Sequence, residues 1–521
     1  MGGGHNGLTA AAYLAKAGKR VLVAERRAVV GGAAVTEEVA PGARVSSCSY
    51  IASMLTPGVI RDLALARYGL EMVACDPALN LPTSDGRLLR LWGSAEKTAG
   101  EIARYSARDA AAYIDVDRML RRLARVLQPF FLEPPPNLEA KGLSGFAEVL
   151  RAGRRAYGLG GEDVAAMIRF LTGSLAEFVD RHFESDEARR LMLANNVYGK
   201  HGGPYESGST LGLLFHLLSG GESGDQGYSG HVIGGTGAIS EALAKAAADF
   251  GATILTDAEV AEIRVTSGRV EGIALTDGRT FSAPRVLSNA DPKRTFLKLV
   301  DRTNLDDDFR EDINAIRMAG PAAKVNMWLA KEPLIAGMAA DATPAEKAVL
   351  SILPSFEDVQ RLYDGSRFGE LGEELWIDCV VPSQVDPTLC PEGTYMMTCF
   401  VQYVPYKLKD GTSWNDKREE LGDRVCRQIE QFVPGLRESI LARKVITPLD
   451  LEETYGLTEG NIFHGDLNLG QLFMMRPVPE YSQYNSPIKG LSLCGAGAHP
   501  GGGVTGAPGR NAALAALKRW R

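Results

Sequence analysis

The stretch GGGHNGLTAAAYLAKAGKRVLVAE, residues 2–25, decides the fold of this chain. Gly2, Gly4 and Gly7 have the G-x-G-x-x-G spacing of a loop that lets the backbone approach a pyrophosphate. The Ala-rich segment after Gly7 predicts a helix whose N-terminus offers free N–H groups to phosphate. An apolar run then predicts a buried strand that ends at Glu25, where a carboxylate accepts hydrogen bonds from ribose hydroxyls. This order of features predicts a Rossmann unit that binds a dinucleotide.

A β-strand normally precedes such a loop and aims it at the phosphates. Here Met1 directly precedes Gly2, so the first strand of the unit is apparently truncated. That strand would be central in the sheet, and without it the edges of its neighbours would be exposed. We therefore expect about five to eight apolar residues upstream, judged from usual strand lengths. Sequencing the N-terminus of the natively expressed protein tests this, and finding Met1 there would contradict it.

The segment ERRAVVGGAAVTEE, residues 25–38, follows the predicted strand. An acid, a short spacer and the pair Gly31–Gly32 resemble the second nucleotide motif of flavoproteins with the glutathione-reductase-like FAD fold. In that fold the glycines and the next residue, here Ala33, let the backbone pass close to the flavin end of FAD. Arg26 either stacks on or bonds to the adenosine part, or is an ordinary solvated surface charge.

A second glycine-rich element lies near the other end, in GLSLCGAGAHPGGGVTGAPGRNAALAAL, residues 490–517. It reads as a short strand, a loop that exposes its backbone, and a helix. Free N–H groups of such a loop can contact the ribityl chain and the flavin ring. The cofactor-binding residues that we predict here are Gly495, Gly497, Gly502, Gly503 and Val504.

The middle of the chain supplies a third part of the same domain. Residues 234–292 read as a helix, a strand and a β-meander with the turn signals TSGR and TDGR. In FAD enzymes of this fold, the residue at the position of Val260 gives its backbone to the adenine.

Together, GHNGL, ERR-x-x-x-GGAA, GGTGAISEAL, GNIFHGDL and CGAGAHPGGGVTGAPGRNAA resemble the phytoene-desaturase-like FAD oxidoreductases. Within that family they are most similar to the branch called pyridine nucleotide-disulfide oxidoreductase domain-containing protein 2. The resemblance covers essentially the whole chain. It implies FAD as cofactor, a long apolar or conjugated substrate of isoprenoid or carotenoid-like type, and hydride chemistry at a C–C bond. It also implies that His5 and Asn6 of GHNGL belong to the phosphate loop.

The fold class that follows is α/β, a glutathione-reductase-like Rossmann FAD-binding domain with an inserted substrate domain of α+β type. We assign residues 1–76, 226–295 and 454–521 to the FAD-binding domain. Residues 77–225 and 296–453 would form the substrate-binding or cap domain, mostly helices in the first part and sheet plus helices in the second. The substrate site should lie between that sheet and the flavin.

Flavin chemistry asks little of side chains, so a catalytic residue is hard to identify from sequence. His231 precedes the mid-chain glycine cluster, His464 lies in GNIFHGDL, and His499 precedes the terminal glycine triplet. We take these three as catalytic candidates, although a buried structural histidine is the alternative for each. His201 and His216 flank a glycine-rich stretch that would line the same cavity.

Composition limits the classes of binding partner, metal site and cellular compartment to be expected. The net charge is −7 and no basic patch stands out, so nucleic acid is not expected. The seven cysteines show no C-x-x-C or zinc spacing, so neither a disulfide reductase nor a metal site is predicted. Thinly spread cysteines suggest a cytoplasmic setting. An apolar small-molecule substrate would favour peripheral contact with the inner face of a membrane, with quinone or oxygen as electron acceptor. Oligomeric state stays open.

Two rival functions remain. A flavin amine oxidase shares the nucleotide motifs, but it usually closes the flavin with paired aromatics, where the C-terminal region here has GAGAHPGGG. A non-catalytic FAD-binding scaffold is the second rival, since intact cofactor motifs alone do not exclude it.

Overall fold

The structure is a computed structural model that describes residues 1–136, 161–196, 199–219 and 229–520. The predicted boundary between residues 225 and 226 lies outside the described residues. In chain order the strands are β1 Leu22–Ala24, β2 Thr36–Ala40, β3 Ala43–Ser46, β4 Met72–Cys75, β5 Leu79–Pro82, β6 Leu88–Leu91, β7 Ser229–Val232, β8 Thr253–Leu255, β9 Val260–Thr266, β10 Arg269–Leu275, β11 Thr280–Ser282, β12 Val286–Ser288, β13 Ala322–Leu329, β14 Val349–Ile352, β15 Trp376–Val380, β16 Tyr395–Gln402, β17 Ile440–Ile446 and β18 Leu491–Leu493.

The described residues also form α-helices between these strands. They are α1 His5–Lys16, α2 Pro57–Leu63, α3 Ala95–Ile102, α4 Ala107–Leu132, α5 Gly161–Thr172, α6 Leu175–His182, α7 Asp186–Ala194, α8 Leu211–Ser219, α9 Gly237–Asp249, α10 Asp307–Ala315, α11 Phe356–Arg367, α12 Trp414–Glu430, α13 Leu436–Ser439, α14 Pro448–Glu453 and α15 Ala507–Lys518.

The nucleotide-binding side contains two short parallel strand pairs, β1 with β8 and β12 with β18. Met1 and Gly2 lie between these pairs. The Gly2 N–H donates to the Ala24 carbonyl at 2.8 Å, and the Asn289 N–H donates to the Met1 carbonyl at 2.9 Å. The upstream strand that the fingerprint predicts is not tested by these contacts and stays a prediction.

Helix α1 packs between α9 and α15, and all three are rich in alanine. Small side chains let the helix axes approach closely, and Gly509 of α15 marks the tightest point. A Cβ at Gly509 would lie 2.1 Å from the backbone oxygen of Asn6. The N-terminal, middle and C-terminal segments are therefore held in one layer, as the three nucleotide motifs predict.

The inserted part is built on a seven-stranded sheet in the order β17-β13-β16-β15-β14-β5-β6. Strands β14 and β15 are buried at every position, and β16 at all but its first residue. Such strands read as continuous apolar runs because both faces are covered. Helices such as α4 and α8, which pack on each other, belong to the same apolar cluster.

Most predicted elements are present with small shifts at their ends. Strands β9, β10 and β11 form the predicted antiparallel meander, and β12 follows it. Ser106 of SARD, residues 106–109, and Ser174 of SLAE, residues 174–177, cap their helices by accepting from the N–H groups of Asp109 and Glu177. The first inserted segment also contains β5 and β6, although we expected it to be mostly helical.

The described residues pack into two large apolar clusters, one around the nucleotide-binding side and one around the seven-stranded sheet. Residues 305–318 contribute Leu305, Phe309 and Ile313 to the first cluster, close to the predicted boundary at 295. The exact domain boundaries stay predictions. Within the described part of the chain, no helix is both long enough and apolar enough to span a membrane.

Candidate functional site

One elongated cavity joins the two parts of the molecule. It runs from the predicted adenosine end, at Glu25 and Val260, past the phosphate loop and Gly503 to the seven-stranded sheet. Its volume is about 410 Å³. Of the predicted cofactor-binding residues, those that line it are Gly2, Gly4, His5, Asn6, Glu25, Arg26, Gly31, Gly32, Ala33, Val260, Gly503 and Val504.

The phosphate loop is closed by contacts that only glycine permits. Gly4 precedes α1 in an extended conformation, and no side chain caps the helix, so its first N–H groups face the loop. A Cβ at Gly7 would lie 2.1 Å from the backbone oxygen of Gly2. Gly7 therefore shapes the loop by packing and does not itself line the cavity. The exposed N–H groups and the helix dipole suit a pyrophosphate.

Glu25 ties the phosphate loop to the end of β1. Its side chain is buried, and its two oxygens accept hydrogen bonds from the Gly3 N–H at 2.6 Å and the Arg27 N–H at 2.9 Å. A carboxylate oxygen accepts more than one hydrogen bond, so Glu25 can still receive ribose hydroxyls.

Arg26 lies at the cavity wall, but its guanidinium is engaged elsewhere. It donates to the backbone carbonyls of Glu453 at 3.1 Å and Thr454 at 2.6 Å. Arg26 therefore holds the segment after α14 against the adenosine end. These contacts do not test the alternatives that the sequence left open, stacking on or bonding to the adenosine part or an ordinary solvated charge, so the role of Arg26 toward the cofactor stays a prediction.

The Gly-Gly segment and the C-terminal loop meet the phosphate loop directly. The Gly31 N–H donates to the Gly3 carbonyl at 2.8 Å. His5 Nε2 lies 3.2 Å from the Gly503 carbonyl oxygen, which joins the start of α1 to the C-terminal loop, 498 residues further along the chain. Gly503 and Val504 line the cavity there.

The other three C-terminal glycines pack against protein instead. A Cβ at Gly495 would lie 2.6 Å from the Asn289 backbone oxygen. A Cβ at Gly497 would lie 2.4 Å from Pro292 Cδ, and one at Gly502 would lie 2.4 Å from Phe463 Cδ1. The geometry shows that each of these three positions is closely packed. Their assignment as cofactor-binding residues stays a prediction that the cavity does not support.

Among the three catalytic candidates, only His464 lines the cavity. Burial lowers the pKa of its imidazole to about 4, so the ring is neutral at neutral pH, and Nδ1 has no hydrogen-bond partner among the described residues. His231 is buried in β7, and His499 is fully buried beside Phe473. The cavity instead includes His216, on α8. The geometry favours His464.

Two arginines that the sequence reasoning missed also line the cavity, Arg27 and Arg294. Arg27 forms an ion pair with Glu37 and lies over the Tyr455 ring at 4.9 Å. Arg27 Nη1 and Arg294 Nε are buried donors without a hydrogen-bond partner among the described residues. Buried donors without acceptors are costly, so a bound anion would satisfy them. The sequence signal was weak, because surface arginines are common.

A polar group at the sheet end was also missed. Tyr50, Phe400 and Asp378 line the cavity, and Lys324 lies beside them with its ammonium 4.2 Å from the Tyr50 ring centroid. Lys324 is almost fully buried, and burial lowers its pKa to about 8. The sequence signal for this group was the charged Lys324 within the apolar segment AAKVNMWL, residues 322–329. The strands that it would face could not be known from sequence.

The cysteines and the other candidate metal ligands were also located. All seven cysteines are free and buried. Burial raises the pKa of Cys48, which lines the cavity, to about 12, so this thiol stays neutral. In the described ranges, no group of three or more His, Cys, Asp or Glu side chains could hold a metal ion.

The profile of a protein family described as flavin containing amine oxidoreductase matches residues 7–513. The chain belongs to this family. It is 37% identical over 539 residues to the Mus musculus protein called pyridine nucleotide-disulfide oxidoreductase domain-containing protein 2, covering 98% of this chain and 92% of that one. It is 25% identical to a lycopene-forming phytoene desaturase of Pseudescherichia vulneris, covering 99% and 98%.

Solved structures agree on the fold of this flavin oxidoreductase. An oxidoreductase from Methanosarcina mazei superposes with a TM-score of 0.61 at 17% identity, covering 99% of this chain and 98% of that one. The resemblance to phytoene-desaturase-like FAD oxidoreductases and the α/β fold class are confirmed, and so is FAD as the cofactor. The chain is an FAD-dependent oxidoreductase of the amine oxidase and phytoene desaturase superfamily. The residues at the cavity fit FAD, since glycines give it backbone donors and Arg27 and Arg294 give it positive charge.

Proposed function

We propose that this flavin oxidoreductase desaturates, saturates or isomerises a C–C bond of an apolar substrate, such as an isoprenoid or a carotenoid-like compound. The observation that carries the proposal is the apolar wall of the cavity beyond Gly503. Buried aliphatic side chains from β5, β6, α8 and β14 line it: Leu79, Leu91, Leu213, Leu217 and Val349. Such a wall favours hydrocarbon by removing apolar area from water.

FAD, when bound, supplies the acceptor or donor of the hydride. The chain's own residues hold the reactants and exclude water. The phosphate loop and the Gly31–Gly32 segment hold the cofactor, and the aliphatic wall orients the substrate against it. His464 supplies a neutral imidazole at the cavity wall, which we propose contacts the reacting region and accepts or returns a proton there.

Amine oxidation is the second candidate, and one specific observation favours it. Tyr50 and Phe400 form a stacked aromatic pair in the cavity, with ring centroids 5.5 Å apart at 26°. The sequence argument against an amine oxidase was that the C-terminal region offers no paired aromatics. The pair found here comes from two other segments of the chain, at Tyr50 and Phe400. The name of the matched family points the same way.

An anaerobic screen tests the proposal. FAD-loaded protein is mixed with polyunsaturated isoprenoids, with and without a hydroxyl group, and with alkylamines, while visible flavin absorbance is recorded. Bleaching by isoprenoids, or reoxidation of photoreduced flavin by them, with new products by mass spectrometry, supports C–C chemistry. Bleaching only by amines would establish the second candidate. A flavin inert to every donor and acceptor would contradict both and favour a non-catalytic scaffold.

The remaining partners are proposals that depend on the apolar substrate. We propose quinone or oxygen as electron acceptor, and a cytoplasmic location with peripheral contact at the inner face of a membrane, where such a substrate is stored. Reoxidation rates with a soluble quinone and with oxygen test the acceptor. Cosedimentation with phospholipid vesicles tests the membrane contact.

A further inference from the structure

A second cavity opens at the end of the seven-stranded sheet where β13 begins and β16 ends. Ala322 of β13 is paired there with Gln402 of β16. This second cavity has a volume of about 500 Å³, and its described lining residues are all different from those of the elongated cavity that fits FAD. Its walls come from the segments before β13 and after β16, the end of α11, the loop at His201 and Glu459. The proposed function makes no use of this space.

Positive charge dominates the lining of the second cavity. Arg317, Arg367 and Lys407 line it, and Glu459 is the one acidic residue among its described lining residues. Within the part of the chain that the structure describes, none of these three basic side chains donates a hydrogen bond to another residue. An arginine side chain carries several N–H donors and no acceptor, so both guanidinium groups keep donors for a ligand.

Two neighbouring carboxyl groups balance this charge only in part. Arg317 Nη1 lies 3.5 Å from Asp466 Oδ2, and Arg367 Nη1 lies 3.9 Å from Glu206 Oε1. Both distances exceed that of a direct charge-assisted hydrogen bond. Burial also raises the pKa of Asp466 to about 7, so this carboxyl group is only partly ionised at neutral pH. Neither carboxyl group lines the cavity, and a bound anion would therefore meet the cations first.

His201 shows that the two guanidinium groups act on the same place. Burial, together with the charges of Arg317 and Arg367, lowers the pKa of its imidazole to about 4. The ring is therefore neutral at neutral pH and still has one N–H to donate. Tyr363 supports both sides of this group, since its ring lies 5.7 Å from the Arg367 guanidinium carbon and its hydroxyl lies 3.5 Å from His201 Nδ1.

A phosphate group suits this arrangement better than a carboxylate. Guanidinium groups bind phosphate oxygens in pairs, and a phosphate monoester carries close to two negative charges at neutral pH. A carboxylate carries one charge and two oxygens, so it would satisfy fewer of the donors. A cavity of this volume is also typical of sites that hold a small organic ligand. Pro321, Pro405 and Tyr406 give it a wall for the organic part.

We propose that the second cavity binds the phosphate group of a small organic phosphate monoester, with Arg317, Arg367 and Lys407 as the residues that contact the phosphate. The site is separate from the phosphate loop, so it stays available when FAD is bound. The inference goes beyond the proposed function and does not depend on which compound the flavin oxidises or reduces.

Equilibrium dialysis of the FAD-loaded protein tests the proposal, because FAD then occupies the phosphate loop. Phenyl phosphate, benzoate and inorganic phosphate are dialysed separately, and the free concentration is measured on the protein-free side. We expect one phenyl phosphate per chain, bound at least about tenfold more tightly than benzoate or inorganic phosphate. Its affinity should fall as sodium chloride is raised, because salt screens charges near the surface.

Arg317→Gln and Arg367→Gln should each weaken phenyl phosphate binding by at least about tenfold, because each change removes a charged donor. Arg361→Gln is the matched control, since Arg361 lies on α11 like Arg367 but does not line the cavity. It should leave the affinity unchanged. All three arginines are exposed, so the FAD content and unfolding temperature of the variants should equal those of the wild type.

A wild-type protein that does not bind phenyl phosphate would overturn the proposal, as would an affinity that both arginine changes leave intact or that salt does not alter. Equal binding of benzoate would overturn the assignment to phosphate. Equal binding of inorganic phosphate would overturn the assignment to an organic monoester. Failure of the proposed function appears separately, as a flavin that no compound reduces or reoxidises.

Discussion

Glu25 joins the phosphate loop to β1 through the Gly3 N–H and also lines the adenosine end of the cavity. Both carboxylate oxygens of Glu25 accept hydrogen bonds, whereas His464 Nδ1 and Lys324 Nζ are buried without a hydrogen-bond partner among the described residues. Burial lowers the pKa of both side chains, which disfavours their charged forms. Single residues of this kind affect cofactor affinity, reaction rate and pH dependence separately, so each is tested by a different measurement.

Glu25→Ala should weaken FAD binding by at least about tenfold, because the change removes a ribose acceptor and leaves the buried Gly3 N–H unpaired. The measurement is a titration of the flavin-free protein with FAD. Glu38→Ala is the control, since Glu38 is an exposed acid on β2 that does not line the cavity. Equal affinities of the Glu25 variant and the wild type would contradict this role.

His464→Asn should slow flavin reduction in the substrate screen by at least about tenfold, in line with the usual contribution of a positioned acid or base. Asparagine is the appropriate replacement because His464 has a positive φ of 56°, which Asn tolerates better than most residues. His182→Asn, at the end of α6, controls for loss of any histidine. An unchanged rate would remove His464 from the reaction.

Lys324→Met should flatten the dependence of stability on pH between 8 and 10.5. The pKa of Lys324 is lowered from 10.5 to about 8 in the folded protein, so the unfolded chain binds more protons in that window. The free energy of unfolding of the wild type should therefore rise with pH relative to the variant, by up to about 3 kcal/mol. Thermal unfolding at fixed FAD concentration measures this, and a difference that does not vary with pH would contradict it.

Secondary-structure elements with strong local signals were predictable. Helix α9 and the meander of β9, β10 and β11 follow from local composition and the turn signals TSGR and TDGR. Strands β5 and β6 were missed because they pair with each other and, through β5, with β14, far along the chain. The cross-strand pairing of Lys324 with Phe400, Phe400 with Asp378, and Asp378 with Ser351 was missed for a related reason. Sequence shows a polar residue within an apolar strand, but only the register between strands shows which polar residues meet.

Gly509→Ala should destabilise the crossing of α1 and α15. Its Cβ would lie 2.1 Å from the backbone oxygen of Asn6, which cannot give way as a flexible side chain would. Overpacking of this kind costs about 1–3 kcal/mol, so the unfolding temperature should fall. Gly100→Ala in α3 is the matched control, because no atom lies within 4 Å of its built Cβ. A stability equal to the wild type would show that the helices can move apart freely.

The whole molecule assembles its cofactor site from segments at both ends and the middle of the chain. His5 meets Gly503, α1 packs on both α9 and α15, and Arg26 holds the segment at Glu453. The cavity then continues to a sheet whose strands β13 to β17 come from residues 322–446 and whose edge is formed by β5 and β6, from residues 79–91. FAD and substrate are therefore expected to bind in one continuous space between two packed units.

The cofactor content of the purified protein tests this account most directly. The visible spectrum and the amount of FAD released on denaturation give the ratio of FAD to chain. We predict about one FAD per chain in the wild type and in Gly100→Ala, and loss of FAD in Gly7→Ala, whose Cβ would lie 2.1 Å from the Gly2 oxygen. A folded wild-type protein that holds no flavin, even after incubation with excess FAD, would contradict the account.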